Sequence, residues 1–249
     1  MKNKETIVIM GGASIIAINV AKIWLKQSPI KIILIARNLK KLEANISALH
    51  NINPLSEIIC KELVFDDLEA GKKLIDRIFD SNIVSKVLIA FGTLPNQLEC
   101  EGNSSYLKDA LFINGILPIL YADIFSQRIN TSLPSTIAMI GSVAGDRGRR
   151  SNYFYGSAKS MIEVYIEGAR HRFQNSKLNF CLIKPGPTQT PMTKSLNLNI
   201  KLADPKRVSR DIVEGIKKKK SVIYTPTKWK LIMFVIRNLP EFIFHKLKI

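Results

Sequence analysis

Three cysteines and three histidines in 249 residues show no pattern of a disulfide framework or a metal centre. Cys60, Cys100 and Cys181 are odd in number and far apart, without metal-ligand spacing, and His50, His171 and His245 are equally scattered. No metal is therefore expected. Acidic residues are scarce, 20 against 37 Lys and Arg, which leaves a net charge of +17. Internal repeats are lacking, and so is any Pro, Gly or Ser linker long enough to divide the chain, so residues 1–249 are expected to form one domain. The first residues run straight into an apolar strand with no secretory h-region and small-residue cleavage site, so a cytoplasmic protein is expected.

What is present is ordinary globular material, 46% hydrophobic and 23% charged. Short apolar runs rich in β-branched residues recur at 7–10, 32–35, 58–65, 87–91, 136–140, 179–183 and 222–224. Most are continuous rather than alternating, as in strands buried on both faces of a parallel sheet. Segments with helical periodicity lie between most of them, among them 16–26, 68–79 and 157–173. Strand, helix and strand in alternation imply β-α-β crossovers and an α/β, Rossmann-type, doubly wound parallel sheet in three αβα layers. Residues 102–105 and 145–150 read as loops, and Pro185 to Ala203 as a longer one placed to cover a substrate.

Gly11-Gly12-Ala13-Ser14-Ile15-Ile16-Ala17 follows the first strand and opens a helix. Such a turn brings backbone N–H groups and a positive helix end against a pyrophosphate, although a Gly-Gly turn is also often only a tight connection. The second strand ends Ala36-Arg37. A ribose 2′-OH usually meets an acid here, whereas a 2′-phosphate favours a cation, so the pair suggests NADP over NAD, beside the plainer reading of a solvated arginine. Asp66, after the third strand, suits a helix cap or an adenine contact.

Ser142 follows the fifth strand and Tyr155-Gly-Ser-Ala-Lys159 opens the next helix. Tyr-x-x-x-Lys alone is weak, since chance yields on the order of half an occurrence in a chain this rich in lysine. Its setting strengthens it. Residues 155 and 159 lie one helical turn apart, and Ser142 stands at a strand's C-terminal end, where open α/β sheets place ligands. A phenol with a pKa near about 10 needs a neighbouring ammonium to become a proton carrier at neutral pH. Lys159 can supply it while reaching a ribose, and Ser142 can hold a carbonyl oxygen against the phenol. Asn114, in Leu111-Phe-Ile-Asn-Gly115, is placed in the flanking helix; alone, it reads as a polar residue bonded to water.

Taken in order, these residues resemble the short-chain dehydrogenase/reductase family over nearly the whole length. The family's elements fall on Gly11 to Ala17, on Asp66, on Ala90-Phe91-Gly92, on Asn114, Ser142, Tyr155 and Lys159, and on Pro185-Gly186 with Thr188 and Thr190. The resemblance implies an NADP(H)-dependent interconversion of a secondary alcohol and a ketone. Asn114, Ser142, Tyr155 and Lys159 would be its catalytic residues. Gly11, Ser14, Ile15, Ile16, Arg37, Asp66, Ala90, Gly92, Tyr155, Lys159, Pro185, Gly186, Thr188 and Thr190 would bind the cofactor, and a homodimer or homotetramer would be the assembly. Two positions depart from the pattern: the family's Gly-x-x-x-Gly-x-Gly retains only Gly11, with Ile15 and Ala17 at the other two places, and Ala90 replaces an Asn. The turn and the ending near Tyr224 to Phe234 are also similar to reductases of decaprenylphosphoryl keto-pentose. That likeness makes a keto-sugar, free or lipid-linked, the first substrate class, with keto-lipids and small ketones behind it. A nucleotide-binding sensor or scaffold without turnover is the rival of another class.

The charge is concentrated late: residues 201–249 hold thirteen Lys and Arg against four Asp and Glu. The segment 226–249 reads as basic and amphipathic, two apolar stretches split by Pro240, each far below the roughly twenty residues needed to cross a bilayer. Packing on the sheet or on a partner subunit is the first reading. Peripheral contact with the inner membrane face is the second. No recognition motif accompanies the charge, so nucleic acid is not an expected partner.

Overall fold

The computed structural model describes residues 4–194 and 201–247. Its strands are β1 (Thr6–Met10), β2 (Lys31–Ala36), β3 (Glu57–Glu62), β4 (Val84–Ile89), β5 (Ser135–Ile140), β6 (Leu178–Pro185) and β7 (Val222–Thr225). They form one parallel sheet in the order β3-β2-β1-β4-β5-β6-β7. The order reverses between β1 and β4, and the crevice at their C-terminal ends is the switch point where such sheets bind ligands.

Helices α1 (Ile15–Gln27), α2 (Lys40–His50) and α8 (Pro205–Lys217) cover one face; α3 (Leu68–Ser81), α6 (Leu117–Arg128) and α7 (Tyr153–Arg172) cover the other. β1 shows why its sequence is apolar without a break. Ile7 and Ile9 pack with Trp24, Leu25 and Ile212, while Val8 and Met10 pack with Tyr121, Phe125 and Ile162 on the opposite side. One continuous helical run, Ser104–Arg128, is long and apolar enough by length and composition to cross a membrane. Its Tyr121, Ala122 and Phe125 are fully buried in the sheet's core, as in a core helix.

The expected strands and helices are all present, with shifted ends. The third strand stops at Glu62 rather than Phe65, because Asp67 caps α3 by accepting from the Ala70 N–H and turns the chain away from the sheet. Residues 102–105 are not the expected loop. They join α4 (Gln97–Gly102) to α5 (Ser104–Leu111), and only Asn103 leaves the helical path, its side chain accepting from the Tyr106 N–H to start the second helix. Within the expected lid, Thr188 bridges to Ala203 and Pro191–Thr193 form a 3₁₀ turn; its residues 195–200 lie outside the described residues.

Candidate active site

The turn after β1 is built by Gly11, whose φ of 86° lies where a side chain is strained. A Cβ there would stand 2.7 Å from the backbone of Ala90 and Phe91, so the bare glycine lets the end of β1 meet the end of β4. The N–H groups of Gly11 and Gly12 both donate to the Ile35 carbonyl at 2.9 Å, which ties the turn to β2. Ser14 then starts α1 without a side-chain cap, leaving Ile15, Ile16 and Ala17 at the first three helical positions, whose N–H groups have no acceptor within the helix. The branched side chain of Ile15 is 41% exposed and so is not locked in the core. Arg37 and Asp66 stand exposed beyond β2 and β3 at the same end of the sheet. The close glycine turn and the uncapped helix end fit the pyrophosphate of a dinucleotide, and Arg37 makes no ion pair among the described residues. Asp66 stays uncommitted because Asp67 takes the capping role.

Asn114 is fully buried in a π turn, Phe112–Ile116, between α5 and α6. Such a turn inserts a residue into a helix and commonly marks a functional position. Its amide accepts from the Thr93 N–H at 2.8 Å and donates to the Ala110 carbonyl at 2.9 Å and the Thr93 hydroxyl at 3.1 Å. A Cβ on Gly92 would fall 2.8 Å from the Asn114 Oδ1 and 3.6 Å from the Lys159 Nζ, so the segment after β4, Asn114 and Lys159 meet at one point.

Ser142 leaves β5 and opens a 3₁₀ turn, Val143–Gly145, with its hydroxyl accepting from the Ala144 N–H at 3.1 Å. That turn lies directly on α7. Gly156 makes room for it, since a Cβ there would reach the Ala144 carbonyl oxygen at 2.7 Å. Ser142 is thereby brought near the Tyr155 phenol, close enough for its hydroxyl to favour the charged form of the phenol. Lys159, one turn further along α7, is buried and donates to the Ile140 carbonyl at 3.3 Å, its ammonium 5.6 Å from the centre of the Tyr155 ring.

Electrostatics differ from the expectation that Lys159 draws the phenol pKa down. Burial pushes Tyr155 up to about 12, offset in part by the Ser142 hydroxyl, and burial also brings Lys159 down to about 8. Desolvation by burial is the leading cause of both shifts. Both side chains are thus poised in their neutral forms more than free solution would allow.

Pro185 and Gly186 end β6 and are buried, with the Gly186 N–H bonded to the Thr225 carbonyl at 2.9 Å. The Thr188 hydroxyl donates to the Gly186 carbonyl at 2.8 Å, while Thr190 and Thr193 share a capping box. These residues adjoin the switch-point crevice from the β6 side.

Sequence reading missed the group behind this site. Lys184, at the inner end of β6, is buried and pairs with Asp146 and with Glu163, the latter at 2.5 Å. The Tyr224 hydroxyl donates to Asp146 at 2.8 Å, and Arg237 lies 3.6 Å from Glu163. Asp146 follows the Ser142 turn, Glu163 lies one turn beyond Lys159, and Lys184 precedes Pro185, so one ionic cluster fastens the three segments that carry the site. Burial opposes the charge of Lys184, yet its two carboxylate partners hold its pKa above the usual value. The visible signal was a lysine ending an otherwise apolar strand. In the loop before Tyr155, the Arg149 Nε and the Asn152 Oδ1 are buried without a hydrogen-bond partner among the described residues, a capacity that a functional loop can offer to a ligand.

Comparison with known proteins agrees with this architecture. The family model described as short chain dehydrogenase matches residues 5–201. An uncharacterised oxidoreductase of Mycobacterium tuberculosis is 23% identical over 242 residues, covering 97% of this chain and 96% of the relative. Among solved structures, a short chain dehydrogenase from Burkholderia cenocepacia in complex with NADP superposes with a TM-score of 0.83 at 14% identity, covering 99% of this chain and 98% of the other. A 3-oxoacyl-[acyl-carrier protein] reductase from Brucella melitensis in complex with NAD does so with a TM-score of 0.77 at 12% identity, covering 90% and 96%.

Proposed function

Because the chain belongs to the short-chain dehydrogenase family of oxidoreductases, we propose that it is an NADP(H)-dependent reductase of a ketone to a secondary alcohol, reversible in principle. The observation that carries this reading is the gathering of Ser142, Tyr155 and Lys159 at the C-terminal end of β5 and the start of α7, next to the switch point. The bound cofactor would supply the hydride. Tyr155 protonates the carbonyl oxygen, Ser142 holds that oxygen against the phenol, Lys159 reaches the ribose beside the phenol, and Asn114 supports proton relay through water. Gly11, Ser14, Ile15, Ile16, Asp66, Ala90 and Gly92 form the adenosine and pyrophosphate side. Pro185, Gly186, Thr188 and Thr190 form the nicotinamide side.

NADP is preferred on the strength of Arg37, which is exposed where a 2′-phosphate would stand, with alanine rather than an acid before it. The NADP complex of the Burkholderia protein supports the choice; the NAD complex of the Brucella reductase shows that the fold serves either. Arg37→Ala should weaken NADPH binding by about tenfold or more and leave NADH binding within about twofold, a contrast that titration of cofactor fluorescence reads directly. Equal change in both affinities would rule out the assignment.

The substrate class we favour is a keto-sugar, free or polyprenyl-linked. The unpartnered Arg149 and Asn152 atoms, in the loop that leads into the helix of Tyr155, support it, being suited to hydroxyl or phosphoryl groups. Keto-lipids and small ketones are the alternatives, and NADPH consumption across the three classes separates them. A lipid-linked substrate would bring a cytoplasmic protein to the inner membrane face. Pairing of subunits through α6 and α7 is supported by the shallow apolar groove of Ile119, Met161, Val164 and Tyr165, with Val164 68% exposed. Ile15 in place of a glycine favours one other reading, a cofactor-binding protein without turnover; stoichiometric NADPH binding with no oxidation by any ketone would support it.

A further inference from the structure

Helix α9 (Lys228–Asn238) and the short α10 (Glu241–Phe244) follow β7 and lie at the sheet's C-terminal end, beside the candidate site. Trp229 packs against Gly186. Arg147 donates to the carbonyls of Ile236 and Leu239 at 2.6 and 2.7 Å, and its guanidinium lies 3.8 Å over the Phe244 ring. These contacts use one face of α9, where Trp229, Met233 and Ile236 recur at helical spacing. The opposite face is apolar as well: Leu231 and Phe234 are 69% and 66% exposed, Val235 is half exposed, and Phe242 of α10 extends the patch at 69%. A helix apolar on both faces is normally buried on both.

We propose that this outer face of α9 and α10 docks on an anionic lipid surface. Leu231, Phe234, Val235 and Phe242 enter the headgroup region, and Lys228, Lys230 and Lys246 meet lipid phosphates. Charge decides the occupant. On the wheel of α9, Lys228 and Lys230 flank the exposed apolar stripe on its two sides. Among the described residues the ion pairs of this segment involve only Arg237 and His245, and those three lysines are exposed without an acidic partner. A second copy docked on the same face would set this cationic rim against itself, whereas anionic lipid complements the rim and the apolar stripe together.

The structure also divides the late cationic stretch. Lys217 to Lys220 precede β7 and lie at the sheet's N-terminal end, near Glu5 and Lys86, opposite to α9. They take no part in the docking face and serve as its internal control. The inference deepens the membrane contact suggested under the proposed function and rests on that reading only for its relevance to substrate; lipid binding is measured without substrate or cofactor, so the two can fail separately.

The test is co-sedimentation of the full chain with phosphatidylglycerol and with phosphatidylcholine vesicles, alongside its mass by light scattering. Binding to the anionic vesicles alone is expected, weakening with salt. Phe234→Ser with Phe242→Ser, and separately Lys228→Glu with Lys230→Glu, should each reduce it by about tenfold or more, with solution mass and NADPH binding retained. Replacing Lys217 to Lys220 by serine should change it by less than about threefold. Loss of binding with the control set but not with the α9 variants would overturn the proposal. So would absence of vesicle binding, or a fall in solution mass with Phe234→Ser, which would mean that a second copy covers the face.

Discussion

At the scale of the residue, the site is a place where stability is given up. Lys159 is buried with a single carbonyl within reach, and burial brings its pKa from the ordinary lysine value down to about 8. A lysine with a lowered folded-state pKa costs stability in full below that pKa, where both folded and unfolded chains hold the proton. The cost fades between about 8 and the unfolded value near about 10.5, so this residue makes stability rise with pH across that window. Lys159→Met should therefore raise the melting temperature at pH near about 7, by a free energy on the order of 3 kcal/mol, and the gain should shrink toward pH about 10. Thermal melts of both proteins over that range check it; an unchanged or lowered melting temperature at neutral pH would mean that the ammonium is compensated. The gathering of Ser142, Tyr155 and Lys159 at one place was legible in sequence because their spacing follows strand end and helical turn. Their protonation balance was not, since desolvation depends on what the fold packs around them.

At the scale of the element, the site is held by a joint among β6, α7, the turn after β5, and the last strand and helix. Lys184 with Asp146 and Glu163 fastens them, and Tyr224 and Arg237 close the cluster. Removing one member of a buried ionic group costs far more than the intact group is worth, because charges are left without partners. Lys184→Met should lower the urea-unfolding free energy by about 3–5 kcal/mol, and the deficit should narrow when Asp146→Asn and Glu163→Gln are added to it. A deficit unchanged by those two substitutions would point to lost packing instead. Strand periodicity foretold β6 to within a residue or two at its ends, yet gave no hint of this cluster, whose members are separated by up to about ninety positions. Similarly, 102–105 read as a loop because Gly-Asn-Ser-Ser is turn-rich, whereas in the fold Asn103 and Ser104 start a helix through a side-chain cap. Capping residues and loop residues share a composition, and the next turn of helix decides between them.

At the scale of the whole molecule, length, the strand-helix alternation and the order of motifs sufficed for a three-layer parallel fold, because buried parallel strands leave an apolar signature that few other arrangements share. The net charge of +17 was legible as a number but not as a surface: folding sends Lys217 to Lys220 and α9 to opposite ends of the sheet. We propose that the site so assembled transfers a proton through Tyr155 during carbonyl reduction. NADPH affinity, and NADPH consumption with the best ketone found, measured on wild-type protein and on Tyr155→Phe, test this role. Affinities within about threefold of each other and turnover lowered by about a hundredfold or more are expected. Turnover within about twofold of wild type in Tyr155→Phe would contradict it.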